Sequence, residues 1–188
     1  FTIPVGARQV LPHVGGLVSD VGSGLPGALR AVLAEATREI RELEARVREV
    51  ERSLEAMARA SDVVVRLRTI PGVGLLTATA LVAFIGDMQR FPSGRHFASY
   101  LGLTPRESSS GLRRRLGAIS KRGDPYLRML LIHGARSVIL HAKKKTAEHD
   151  RLRTWALDRE RARGHNKAAV ALGNKLAARR TAAAAGVP

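Results

Sequence analysis

Between residues 26 and 60 the apolar positions recur in a fixed order. From Leu33 through Ala36, Ile40, Leu43, Val47, Val50 and Leu54 to Met57 they alternate steps of three and four, with Leu29 one turn earlier. This is a heptad seam, and Arg and Glu fill the remaining faces. Pro26 suits the first turn of such a helix. A long helix with one apolar stripe needs a partner. Another helix of the same chain, or a second copy in a parallel or antiparallel dimer, fits the pattern equally. Residues 61–68 are expected to continue as helix. Residues 1–25 are rich in Gly, Pro and Val without clear periodicity and read as a linker, or as the remnant of a preceding domain.

Further along, Ile70-Pro71-Gly72-Val73-Gly74 precedes an apolar stretch from Leu75 to Ile85. The pattern is that of a helix-hairpin-helix. Gly72 and Gly74 allow a tight turn with positive φ and leave backbone N–H groups uncovered at a helix N-terminus, where a phosphate can be held without reading a base. Ser93 reads as the N-cap of a short helix ending near Gly102. Phe91, Phe97 and Tyr100 read as packing residues against the hairpin helices. Residues 103–122 read as irregular or partly β. Asp124 as N-cap and Pro125 at the first helical position start a helix to about Ala142, with Leu127, Leu130, Leu131, Ala135 and Val138 buried. Lys143, Lys144 and Lys145 suit its negative end. Two more helices are expected near 147–163 and 167–184, the last Ala-rich and weakly amphipathic. The fold class is therefore all-α or nearly so. Its parts are a linker or remnant over 1–25, a coiled-coil helix over 26–66, and a helix-hairpin-helix and serine-bearing domain over 67–188.

The charge distribution adds a partner to this picture. The net charge is +16, and residues 61–188 carry 24 Lys/Arg against 8 Asp/Glu, whereas residues 26–60 balance seven Arg with seven Glu. A basic domain beside a neutral one fits a polyanion, and DNA is the expected partner. The chain has no Cys, which removes disulfides, thiolate metal sites and Cys nucleophiles. No apolar run approaches the ~20 residues of a membrane span, so a soluble, cytoplasmic protein without a membrane partner is expected. The sequence starts at Phe1 rather than Met and reads as a fragment or processed piece.

Candidate chemistry lies in one loop. Ser108, Ser109 and Ser110 are followed by Gly111, and then by Arg113, Arg114 and Arg115, with Lys121, Arg122 and Arg128 beyond. A serine hydroxyl is a weak nucleophile and needs help to attack a phosphodiester. Guanidinium groups can hold the phosphate and offset charge developing on its oxygens. The competing reading is a solvated Ser-rich loop beside a DNA-binding patch. Of the six histidines, His133 and His141 share roughly one face of the 125–142 helix. His133 is a candidate general base, although a surface or structural histidine is the favoured reading. Trp155 and Tyr126 read as packing residues. Asp62, Asp87 and Asp124 are scattered, and no catalytic metal site or cofactor is expected in this chain.

The run Ile70-Pro71-Gly72-Val73-Gly74, Ala80-Leu81, Ile85-Gly86-Asp87, Phe91, Tyr100-Leu101-Gly102-Leu103-Thr104-Pro105, Ser110-Gly111 and Ile119-Ser120-Lys121-Arg122-Gly123-Asp124 through Leu127-Arg128 resembles one family. It is similar to the insertion-sequence transposases with a RuvC-like N-terminal domain, a coiled coil and a serine-bearing C-terminal transposase domain. The likeness covers roughly residues 25–185 and corresponds to the C-terminal part. It implies a recombinase that cuts and rejoins DNA through a covalent serine–DNA link and works with a guide, or bridge, RNA. The family's serine stands directly before the glycine, five residues after the proline; here that is Ser110, with Ser109 the runner-up. Mg2+ is implied only for the acidic centre of the RuvC-like domain, which has no counterpart in this sequence, and the piece alone is expected to be inactive.

Three functions compete. A serine recombinase half accounts for the loop, the glycine turn and the charge. A non-enzymatic helix-hairpin-helix DNA-binding module accounts for Gly72, Gly74 and the charge but gives the 106–115 loop no role. A coiled-coil interaction protein, homo-oligomeric through residues 26–60, explains only that segment.

Overall fold

The structure is a computed structural model and describes residues 6–110, 113, 115–144 and 150–184. Among these residues there are eight α-helices and one two-stranded antiparallel sheet, so the fold is mostly helical. The chain divides into two compact units, Phe1–Leu54 and Glu55–Pro188.

In the first unit, α1 (Ala7–Ser19) is followed by a 3-10 turn over Val21–Ser23 and then by α2 (Gly27–Arg59), which runs on into the second unit. Sequence periodicity predicts no helix over 7–19, and Pro12 lies inside it. Its carbonyl end is closed by Arg30 of α2, whose guanidinium donates to the carbonyls of Leu17 (3.3 Å), Val18 (2.8 Å) and Val21 (3.3 Å). One cation thus satisfies carbonyls that a helix end leaves unpaired and opposes its negative dipole. The α2 seam past this joint is open: Ile40, Leu43, Val47, Val50 and Met57 are between 42% and 71% exposed. Between them the helix carries ion pairs such as Arg38 with Glu35 and Glu42.

The helix does not continue from 26 through 68. α2 stops at Arg59, and Ser61 starts α3 (Asp62–Arg68) by accepting the Val64 amide on its hydroxyl at 3.4 Å. Helix-cap chemistry overrides the continuous apolar pattern there. Arg68 Nη1 folds back onto both oxygens of Glu55 at 2.8 and 2.9 Å.

The second unit continues with α4 (Leu75–Ile85), α5 (Gly94–Tyr100), β1 (Pro105–Glu107), β2 (Leu116–Ile119), α6 (Pro125–Ala142), α7 (Arg151–Arg163) and α8 (His165–Ala184). Asp124 caps α6 as its sequence predicts, accepting the Leu127 amide at 2.8 Å. Ser93 precedes α5 as predicted, but its hydroxyl meets His96 Nδ1 at 2.8 Å rather than a backbone amide. The Ala-rich α8 is the central post, with contacts to α3, α5, α6 and α7. Ala168, Ala169, Leu172, Leu176 and Ala177 are buried along it. Small side chains let neighbouring backbones come close, and a Cβ added at Gly94 of α5 would run into the backbone of Ala178. Phe97 is fully buried and meets Phe91 in a tilted contact with ring centres 5.1 Å apart, and Phe91 also meets Tyr100 at 5.2 Å.

Two glycine joints hold the rest in place. Gly72 has φ 81°, and a Cβ on it would stand 2.7 Å from the carbonyl oxygen of Gly134 in α6. Gly102 has φ 68°, and its Cβ would stand 2.7 Å from the Arg122 amide. The second joint fixes the base of the β-hairpin against the end of α5.

Candidate active site and nucleic-acid interface

The three serines sit on the β1–β2 hairpin. Pro105 pairs with Ile119 and Glu107 with Leu116, so β2 carries one extra residue, a bulge. Pairing then continues past the strands. The Ser108 amide donates to the Arg115 carbonyl at 2.9 Å, and Ser110 and Arg113 exchange both backbone bonds at 3.3 and 3.2 Å. Paired residues and those two apart share a face of such a ladder. Ser108, Ser110, Arg113 and Arg115 therefore stand on one face. Ser109 stands on the other with Glu107.

This arrangement treats the serines differently. The Ser109 hydroxyl donates to Glu107 Oε1 at 2.7 Å and accepts the Arg115 amide at 3.2 Å. Ser110 is exposed, and among the described residues its hydroxyl makes no hydrogen bond. Arg113 and Arg115 are exposed as well. Arg114 and Gly111 lie outside the described residues.

The other basic candidates gather at the hairpin base and have different tasks. Lys121 is exposed in a left-handed conformation, φ 57°, with its amide on the Gly102 carbonyl at 3.1 Å. Arg122 is exposed beside it. Arg128 is half-buried, and its Nη1 donates to the carbonyls of Leu101 (3.2 Å) and Gly123 (3.0 Å). These bonds pin the start of α6 to the α5 turn, a structural use that sequence reading misses.

The glycine turn forms a separate recess. Gly72 does take positive φ, as the sequence predicts, but Gly74 does not: at φ −84° it is the extended N-cap of α4. Gly74 is exposed and nothing approaches its Cβ position, whereas Gly72 is spent on the contact with Gly134. Arg68, Arg153, His133 and Ser137 share this recess, so His133 lines the glycine turn. His141 lines a shallow recess with Arg136 and Lys144.

Among the described residues no group of three His, Cys, Asp or Glu side chains is placed to hold a metal ion. None of the described helices is long and apolar enough to cross a membrane. Away from the hairpin, Glu160 takes hydrogen bonds from Lys143 and His165, both at 2.7 Å. Burial pushes its carboxyl up, but those two donors and their charge outweigh it and hold the group below the usual carboxylate range.

Residues 64–151 match the sequence pattern described as "Transposase IS116/IS110/IS902 family". The chain carries a transposase domain of the IS116/IS110/IS902 family. The stretch that defines the domain runs from α3 through α6 and includes the glycine turn and the whole serine hairpin. The chain is 44% identical to a probable family 20 transposase of Pseudomonas aeruginosa over 153 residues, 81% of this chain and 44% of that protein. It is 37% identical to the transposase for insertion sequence element IS1111A of Coxiella burnetii over 177 residues, 94% of this chain and 48% of that protein. A pilin gene-inverting protein of Moraxella lacunata is 50% identical over 46 residues, 24% of this chain and 14% of that protein. The chain spans less than half the length of each of these relatives. The transposase likeness expected over roughly residues 25–185 agrees with the 94% of this chain that aligns with the IS1111A transposase; the domain pattern itself covers 64–151, and α7 and α8, outside it, complete the same folded unit.

Proposed function

We propose that this chain is the serine-bearing half of an insertion-sequence transposase, and that Ser110 is its nucleophile in DNA recombination. The observation that carries the reading is the sidedness of the hairpin. Ser110 shares an exposed face with Arg113 and Arg115, while Ser109 is tied to Glu107 and the Arg115 amide. In the step we infer, Ser110 Oγ attacks the scissile phosphorus. The Oγ–P bond forms as the P–O bond to the sugar breaks, the serine gives up its proton, and the leaving sugar oxygen takes one. A later sugar hydroxyl reverses the step on a new end. Arg113 and Arg115 hold the phosphate and offset charge on its oxygens. Arg114, Lys121, Arg122 and the recess at Gly72 and Gly74 extend the contact along the backbone.

The relatives named as transposases and as a gene-inverting protein support DNA as the substrate. A guide RNA as partner and self-association through the open α2 seam belong to the same proposal. A Mg2+-dependent RuvC-like domain is also implied by the resemblance. The described residues offer no acidic cluster for it, and no step above runs through a metal.

Mutation of each serine in the intact transposase tests the assignment. Ser110→Ala should leave folding and DNA binding near the parent's and abolish both recombination and denaturant-resistant protein–DNA adducts. Ser108→Ala and Ser109→Ala should be milder. Adducts that persist in Ser110→Ala but vanish in Ser109→Ala would move the nucleophile by one residue. Normal recombination by all three variants would leave the non-enzymatic DNA-binding module as the better account.

A further inference from the structure

A groove of about 1080 Å³ runs between β2 and the facing sides of α7 and α8. Its walls carry Arg95, Arg163, Lys167 and Lys175, and no carboxylate lines it among the described residues. Its floor is apolar, with Leu116 and Ile119 from β2 and Val170 from α8. Leu116 is 51% exposed. Lys175 is fixed from behind: its Nζ lies 4.6 Å from the centre of the Trp155 ring, where the negative face of the indole attracts it.

We propose that this groove holds an unpaired DNA strand next to the point of cleavage. Two features favour a single strand over a duplex. Four cations without a counter-charge fit phosphates. Exposed apolar surface between them fits the faces of unstacked bases, which a duplex keeps inside. The path favours the strand that is cut. The groove follows β2 as far as Leu116, three residues from Arg113, which is paired with Ser110. At ~3.3 Å per residue that is about 10 Å from the groove's end to the serine. Leu116 pairs with Glu107, on the face opposite Ser110, so a strand in the groove with its sugar–phosphate chain along the lysines reaches the serine by crossing the edge of the hairpin. This inference rests on DNA being the substrate. It adds that the strand is melted before it reaches Ser110, and that α7 and α8, beyond the matched family pattern, hold it.

The test uses the 188-residue chain with a fluorescent single-stranded DNA oligonucleotide, the same sequence as duplex DNA, and the same sequence as RNA. Reversing Arg163, Lys167 and Lys175 to Glu should weaken single-stranded DNA at least tenfold and duplex DNA much less. It should also flatten the log–log salt dependence for the single strand by about 2, from three lost phosphate contacts at ~0.7 each. A parent chain that binds no DNA would sink the function proposed above. A parent that binds, with the triple variant binding single strands equally well, would overturn the groove alone. Equal weakening of duplex and single strand, or a triple variant that loses the RNA but keeps the single-stranded DNA, would also overturn it. Because the chain has no Cys, Lys167→Cys supplies a unique thiol at an exposed position. It should form a disulfide with a thiol-tethered single-stranded DNA and not with the tethered duplex; the reverse pattern refutes the proposal.

Discussion

A glycine-to-alanine change inside a helix normally stabilises, by about 1 kcal/mol. At Gly134 the structure reverses the sign. The residue lies in mid-α6, and a Cβ there would fall inside the carbonyl of Gly72, 3.0 Å from its carbon and closer still to its oxygen. The obstacle is backbone on both sides, so no side chain can rotate away. The entry turn of α4 has to part from α6 by about 1 Å, which forfeits a quarter to a half of the dispersion energy of each contact there. Overpacking of this kind costs about 3 kcal/mol at the upper end of its range. Less the helix gain, Gly134→Ala should lose about 2 kcal/mol and lower the Tm by about 4–8 °C. Gly173→Ala is the matched control. That glycine is also helical and buried, but its Cβ would meet only ordinary contacts at 3.7 and 3.8 Å. It should gain up to about 1 kcal/mol and raise the Tm by about 2–4 °C. Thermal unfolding followed by circular dichroism reads both. A Tm for Gly134→Ala at or above the parent's would refute the close approach of the two glycines.

Three further outcomes are expected. Replacing Ile40 and Val47 by Asp should make the protein monomeric in sedimentation, because a carboxylate is costly to bury in a seam; a parent already monomeric at high concentration would rule out pairing between copies. Arg113→Ala with Arg115→Ala should reduce the log–log salt slope of duplex DNA binding by about 2, whereas replacing Arg38, Arg41 and Arg48 should leave it unchanged, and equal slopes for the two sets would contradict the assignment. Glu160 has a folded-state pKa below its unfolded one, so its contribution is present above about pH 4 and is lost as pH falls through the folded value. Glu160→Gln should therefore lower the Tm at pH 7, with the deficit closing below about pH 4; a deficit of the same size at pH 3 would show that the ion pair is not its source.

How much of this was legible in the sequence depended on how local the physics is. The start of α6 is set by Asp124 and Pro125 within a single turn, and it falls where the sequence predicts. The α2 seam likewise follows from spacing alone, up to the Ser61 cap that interrupts it. The helix over 7–19 was not legible. It depends on Arg30, which lies beyond it in the chain and closes its end. Gly72 and Gly74 look alike in sequence, and only the approach of Gly134 separates them. The pairing of Ser110 with Arg113 was hidden for a related reason, since a face assignment needs the register of the hairpin. The groove had no sequence signal at all. Its cations come from residues 95, 163, 167 and 175, which no motif links.

The place of α8 bears on how the protein is made. Four helices of the second unit, α3, α5, α6 and α7, pack on an element synthesised after all of them. At roughly 5–20 residues per second, the ribosome needs about 6–23 s to go from Val64 to Ala177. During that interval Leu67, Phe97 and Leu131, all buried in the finished fold, have no central helix to close on. The core of this unit therefore cannot close until α8 emerges, and a nascent chain stalled before residue 165 would offer those apolar side chains to holding chaperones.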